Sequence, residues 1–209
     1  MTDLYEGLRR SKILVADNTP LSLLAMLGPK ALDWLFVPGA EVWIADMVKE
    51  EAVREPDEGA DKRELHRQDI VDWFETNKHR IKIQPTTEFA EYEKAMKAWR
   101  LAGQVPELKP SWAGRGENSI LQILEGVEKS VEDGEAVVAL VDDRRARAAI
   151  MTLENVDIDL MGTETYLHWL AERFQLKEAE TAWLAIRIAT DEKVPVELDE
   201  DPVHILRSP

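Results

Sequence analysis

The chain contains no cysteine, so disulfide bonds and thiolate metal sites are both excluded. It contains no apolar run near the roughly 20 residues that a helix needs to cross a bilayer. The opening segment, MTDLYEGLRRSK, also lacks the apolar centre of a signal peptide. These features together predict a cytoplasmic protein with no membrane segment.

Basic residues are in short supply as well. The chain has 26 Lys and Arg against 41 Asp and Glu, which gives a formal net charge of −15. Such a surface repels phosphate backbones, so the composition excludes a broad basic surface for nucleic acid. It does not exclude an enzyme that meets nucleic acid through bound metal and a local basic patch. Because acidic residues are so frequent, only their positions carry an argument.

Strand-like apolar runs alternate with helical segments along the whole chain. The predicted strands cover residues 12–16, 41–45, 80–84, 136–141 and 156–161. This alternation predicts an α/β fold, a three-layer sandwich with a mostly parallel five-stranded sheet and extra C-terminal helices. We expect a single domain over residues 1–190, with helical insertions around 55–116. An acidic C-terminal tail over 191–209 follows it.

Several acidic residues stand where predicted strands and helices meet. Asp17 ends the first strand run, and Asp142 and Asp143 follow the fourth. Glu117 opens a predicted helix, and Glu51 lies in the helix after the second strand. In open α/β sheets, ligands bind at the carboxyl ends of the strands. We therefore expect these carboxyl groups to gather at one edge of the sheet.

Five stretches of the sequence resemble a PIN-domain ribonuclease, the fold of many toxin components of bacterial toxin–antitoxin pairs. They are ILVADNTPLSLLAMLG, VKEEAVRE, GRGENSILQIL, ALVDDRRARAAI and DLMGTETYLHWL. The resemblance extends over about residues 12–187. The chain is longer than the compact toxins of this family, mainly in residues 55–80, 86–116 and after 175.

The resemblance implies an endoribonuclease that depends on Mg²⁺ or Mn²⁺. It assigns catalysis to Asp17, Glu51, Glu117 and Asp142, and metal ligation to Asp17, Glu117, Asp142 and Asp143. Glu50 is the alternative to Glu51 as the acid of its helix. Hard divalent cations prefer carboxylate oxygens, and they lower the pKa of bound water and neutralise charge on a phosphate. Such hydrolysis requires no Ser, Cys or His nucleophile, which agrees with the chain's four His and no Cys.

Each of these acids also has an ordinary structural interpretation. Asp17, Asp142 and Asp143 are each suited to cap the helix that follows. Glu117 fits a first-turn glutamate, and Glu51 fits a solvated helix face. The sequence alone leaves both interpretations open for every one of them.

Candidate substrate contacts lie near the same junctions. Arg144 and Arg147 are placed to hold a substrate phosphate, although a surface helix that neutralises acidic neighbours explains them equally well. Thr163 and Asn18 are candidates to orient the metal-binding acids, with Thr163 also a tentative substrate contact, and turn chemistry explains either. Trp112, in a Gly- and Pro-containing loop, is a candidate for stacking on an RNA base or for plain packing.

The expected partners are an RNA substrate, a small antitoxin protein and a second copy of the chain in a homodimer. A different class of function is a PIN-like binding or regulatory module with little catalysis, which the −15 charge and the extra helices favour. A phospho-receiver domain also places acids at strand ends. It needs a lysine after the last core strand, where this sequence has Met161-Gly162-Thr163.

Overall fold

The computed structural model describes residues 10–55, 65–153 and 157–190, and shows five strands in one parallel sheet. The strands are β1 (Arg10–Ala16), β2 (Glu41–Ala45), β3 (Ile81–Gln84), β4 (Glu135–Leu140) and β5 (Ile158–Met161). Their order is β3-β2-β1-β4-β5, with every pair parallel. The predicted α/β fold is therefore confirmed, and the sheet is entirely rather than mostly parallel.

Helices flank this sheet. They are α1 (Asn18–Met26), α2 (Asp46–Val53), α3 (Arg67–Asn77), α4 (Thr87–Leu101), α5 (Arg115–Gly126), α6 (Arg144–Ile150), α7 (Thr163–Phe174), α8 (Lys177–Glu180) and α9 (Ala182–Ala189). Short 3-10 helices cover Pro29–Phe36, Pro106–Leu108 and Val127–Ser130. No helix in these described segments is both long enough and apolar enough to span a membrane.

The core is built on the two central strands. Leu14 of β1 lies opposite Val42 of β2 on one side and Val138 of β4 on the other. All three side chains are fully buried. A parallel strand in the middle of an α/β sheet is covered on both faces, so it requires continuous apolar residues rather than alternation. This explains the runs that mark β1 and β4 in the sequence.

The path of the chain creates a crevice in the sheet. From β1 the chain adds β2 and then β3 in one direction, and it then returns to place β4 on the other side of β1. The carboxyl ends of β1 and β4 therefore form a topological switch point, where the helices that follow the two strands diverge. The fold places the residues just after β1 and β4 at this crevice.

The start of one predicted helix requires correction, because α5 begins at Arg115 rather than at Glu117. Residues 177–190 form two short helices separated by a turn at Thr181. Thr86 caps α4, with its hydroxyl accepting from the amide of Phe89 at 3.3 Å. The predicted tail over 191–209 lies outside the described residues.

Candidate metal centre at the carboxyl edge of the sheet

Asp17 occupies the crevice between β1 and β4. Its amide donates to the carbonyl of Leu140, at the end of β4, at 3.0 Å, so the parallel ladder holds this residue at the switch point. Its side chain is only 6 % exposed. It makes no capping hydrogen bond to α1, although it stands at the N-cap position. Asp17 therefore stands at the start of α1 without the side-chain hydrogen bond that usually defines a helix cap.

The pKa of Asp17 reflects the burial of its carboxyl group and the acidic residues around it. Burial, together with the negative charges of Glu117, Asp142 and Asp143, raises this pKa to about 7, while a hydrogen bond from the amide of Asn18 opposes the shift. The predicted acids after β1, after β4 and at the start of α5 are therefore gathered within electrostatic range of one another.

Glu51 joins the same cluster from α2. Burial raises the pKa of Glu51 to about 8, with contributions from the charges of Asp17 and Glu117, and the amide of Gly116 opposes the shift by hydrogen bonding. A Cβ atom on Gly116 would lie 2.6 Å from the Glu51 Oε2 atom, so a larger residue at this position would force the Glu51 carboxylate to move. The neighbouring Glu50 instead acts on Tyr92, whose pKa is raised by burial and then by that charge.

Asp142 is held in place by the first residue of α7, just after β5. The amide of Thr163 donates to its Oδ1 at 2.9 Å, and the Thr163 hydroxyl donates to its Oδ2 at 2.6 Å. Thr163 is completely buried. A Cβ on Gly162 would be 3.0 Å from both Arg147 Nη1 and Asp142 Oδ1, so a larger residue there would crowd both side chains. Thr163 thus orients Asp142, which is one of the two roles that the sequence suggested for it, whereas Arg147 donates to the carbonyl of Val141 at 3.5 Å.

Asp143 has a different role. It is exposed, and its Oδ1 accepts hydrogen bonds from the amides of Arg145 and Ala146 at 2.8 and 2.9 Å. It therefore caps α6, which was the ordinary alternative for this residue. Arg144 is exposed on the same short helix.

The carboxylates of the described residues are not arranged as a complete set of metal ligands. Among residues 10–55, 65–153 and 157–190, no group of three or more His, Asp or Glu side chains is placed to hold a metal ion. Hydrogen bonds to Thr163 already engage both oxygens of Asp142. The donor chemistry nevertheless suits a hard divalent cation, because buried carboxyl groups that raise one another's pKa are relieved by positive charge.

A second Asp–Thr pair mirrors the first, and sequence reasoning missed it. Asp46 begins α2, and it accepts from the Thr86 amide at 2.9 Å and from the Thr86 hydroxyl at 2.6 Å. In both pairs the threonine stands two residues after the end of a strand, in Gln84-Pro85-Thr86 and Met161-Gly162-Thr163. This repeated spacing is a signal that the sequence contained.

The first turn of α4 also braces the helix that carries Glu117. The amide and hydroxyl of Thr87 donate to the Gln122 side chain at 3.0 and 2.9 Å. Arg115, the first residue of α5, pairs with Glu88 at 3.0 Å. Together with the Asp46–Thr86 pair, these contacts fix α5 relative to α2, and so fix the two glutamates relative to each other.

Trp112 lies close to Glu51, at the edge of the acidic cluster. The guanidinium of Arg54 stacks over its ring, 4.0 Å from the centroid. Trp112 is half-buried, and the two residues line a small pocket that also contains Glu51 and Asn18. The structure shows this tryptophan packed against an arginine side chain, rather than with that ring face exposed for stacking on an RNA base.

Comparison with known proteins gives no match to a family model, to a curated protein or to a solved structure. The functional argument therefore depends on the geometry and chemistry of this cluster.

Proposed function

We propose that the protein is a Mg²⁺- or Mn²⁺-dependent endoribonuclease of PIN type, acting at Asp17, Glu51, Glu117 and Asp142. The observation that carries the proposal is the pair of carboxyl groups beside the switch point, the buried Asp17 and the partly buried Glu51, whose pKa values rise to about 7 and about 8. Gathering carboxyl groups in a buried site destabilises a fold, and such strongly perturbed groups cluster at functional sites. RNA as the substrate rests on the sequence resemblance.

The residues have distinct parts in the proposed reaction. Asp17, Glu117 and Asp142 would hold the ion, and Thr163 would keep Asp142 oriented. The chemistry supplied by a bound divalent cation is polarisation of the phosphodiester and a lower pKa for the attacking water. Glu51, positioned by the amide of Gly116 and with a pKa near the working pH, is suited to take a proton from that water.

The proposed partners rest on the same resemblance. They are a small antitoxin protein and a second copy of the chain, in the cytoplasm. The brace between α2, α4 and α5 supports the catalytic proposal more directly, because it keeps Glu51 and Glu117 at a fixed separation.

Cleavage of single-stranded RNA by the purified protein with Mn²⁺ or Mg²⁺ tests the function. Asp17→Asn and Glu51→Gln should each lower cleavage by at least about a hundredfold, since a site that loses its ion or its base loses several kcal/mol of transition-state stabilisation. Glu50→Gln is the matched control on the same helix and should cleave normally. Full cleavage by Asp17→Asn would remove the basis for this site.

The second candidate is a PIN-like binding or regulatory module. The net charge of −15 and the engagement of Asp142 with Thr163 favour it. Calorimetric titration with Mn²⁺ separates the two candidates: the nuclease binds the ion in the millimolar range or tighter, with one proton or more released from the cluster, whereas the module shows no such binding.

A further inference from the structure

A small polar pocket lies directly beside the acidic cluster. It has a volume of about 40 Å³, and the residues that matter for its chemistry are Asn18, Ser22, Glu51, Arg54, Arg67 and Trp112. Glu51 belongs to both the pocket and the cluster, and Asn18 directly follows Asp17. A group bound in this pocket would therefore be adjacent to the acids.

Two arginines give the pocket its charge. Arg54 follows α2, and its charge opposes the upward shift in the pKa of Glu51. Its guanidinium stacks on the ring of Trp112 at 4.0 Å. Arg67 begins α3, and its Nε donates to the carbonyl of Val53 at 2.5 Å. Stacking uses the face of a guanidinium, whereas phosphates are bound by the N–H groups on its edge.

The size of the pocket selects among anions. A water molecule needs about 10–15 Å³ of such space, so 40 Å³ accommodates roughly three water-sized atoms. This is room for the two non-bridging oxygens of a backbone phosphate and too little for a nucleobase. The amide of Asn18 and the hydroxyl of Ser22 supply further polar groups. In a chain of net charge −15, two arginines at this position form a local basic patch.

We propose that this pocket binds an RNA backbone phosphate next to the one that is cleaved, through Arg54 and Arg67. The proposal rests on the nuclease function above and names how its substrate is held. It places RNA binding on the α2–α3 side of the cluster rather than on α6, where Arg144 is exposed and Arg147 donates to the carbonyl of Val141. Trp112 then serves to hold Arg54 in place.

The salt dependence of RNA binding tests the proposal. The probe is a labelled single-stranded RNA, in EDTA so that it is not cleaved, over a range of salt concentrations. Each lost phosphate contact lowers the slope of log K against log salt by about 0.7 for a single strand. Arg54→Gln and Arg67→Gln should each show this decrease and bind about tenfold more weakly. Arg54→Lys keeps the charge and should keep the slope.

Arg80→Gln is the matched control. Arg80 also stacks on an aromatic ring, with its guanidinium 3.7 Å from the Phe36 centroid, but it precedes β3 at the opposite edge of the sheet. Its replacement removes the same charge and should leave slope and affinity unchanged. Thermal unfolding of each variant shows whether Arg67→Gln destabilises the protein. If it does, the comparison of Arg54→Gln with Arg54→Lys is the test of the phosphate site.

Each outcome bears on one proposal at a time. Unchanged slopes in Arg54→Gln and Arg67→Gln, or no RNA binding by the unaltered protein, overturn the phosphate site even if RNA is cleaved. Decreased slopes in a protein that never cleaves RNA with Mn²⁺ reject the nuclease and retain an RNA-phosphate site. Calorimetry with inorganic phosphate completes the test: binding of free phosphate without binding of RNA would identify a small-anion site and overturn the proposal.

Discussion

Replacing Asp17 by asparagine should stabilise the metal-free protein while removing its response to metal. The buried carboxyl has a pKa raised from 3.8 to about 7, so the folded state binds its proton more tightly than the unfolded state does. Stability from this group is therefore highest at low pH and falls as pH rises from about 4 to about 7. The contribution of asparagine to stability does not change with pH, and its side-chain oxygen still accepts a hydrogen bond from the amide of Asn18.

The magnitude follows from the pKa values. A shift from 3.8 to about 7 corresponds to a loss of roughly 4 kcal/mol when Asp17 is fully ionised at pH 8. At pH 5 the same relation gives only about 1.5 kcal/mol. Some of this gain is offset by poorer hydrogen bonding, so we expect Asp17→Asn to unfold at a temperature about 4–12 °C higher at pH 8, with a smaller difference at pH 5.

Thermal unfolding in EDTA at both pH values, repeated with Mn²⁺, measures the effect. An ion present at 100 times its dissociation constant stabilises the unaltered protein by about 2.7 kcal/mol and should leave Asp17→Asn unchanged. Asp46→Asn is the control, since its carboxylate accepts from Thr86 twice and from the Met47 amide. It should be less stable at both pH values. An Asp17→Asn variant that is less stable than the unaltered protein at pH 8 without metal would refute the reasoning.

Three further substitutions probe neighbouring parts of the site. Gly116→Ala places a Cβ 2.6 Å from Glu51 Oε2, so the rate of RNA cleavage should fall at least about tenfold with little change in RNA affinity. Separate measurement of kcat and KM tests this, and an unchanged kcat would contradict this contact. Thr163→Val leaves Asp142 without its hydroxyl donor and should lower the free energy of unfolding by about 1–3 kcal/mol in denaturant titrations, and full stability would count against the pair. Asp143→Ala loses the cap of α6 and about 1 kcal/mol but should bind Mn²⁺ as before in calorimetry, whereas lost binding would restore this residue as a ligand.

The sequence predicted the strands well because central parallel strands must be apolar on both faces. Asp17 follows β1 directly, so its position was fixed once that strand was found. The choice between Asp142 and Asp143 was different, since both stand at one junction and adjacent side chains point apart. Only Thr163, twenty-one residues later in the chain, decides which one turns into the cluster.

The choice between Glu50 and Glu51 is also tertiary. Adjacent residues on a helix point about 100° apart, and the close approach of Gly116 from α5 selects Glu51. The pairing of Arg54 with Trp112 joins segments far apart in the chain, so no local pattern announced it. Helices α8 and α9 are separated at Thr181, where the sequence has neither glycine nor proline, the residues that usually signal the end of a helix.

The twin Asp–Thr pairs secure the two outer parts of the sheet separately. One pair ties β2 to the chain after β3, and the other ties the chain after β4 to that after β5. Neither pair involves β1, which is joined to β4 over six residue pairs, from Arg10 opposite Glu135 to Ala16 opposite Leu140. The support beneath Asp17 therefore consists of backbone hydrogen bonds, so loss of the Asp46–Thr86 pair would loosen β2 and β3 while the ladder under Asp17 stays in place.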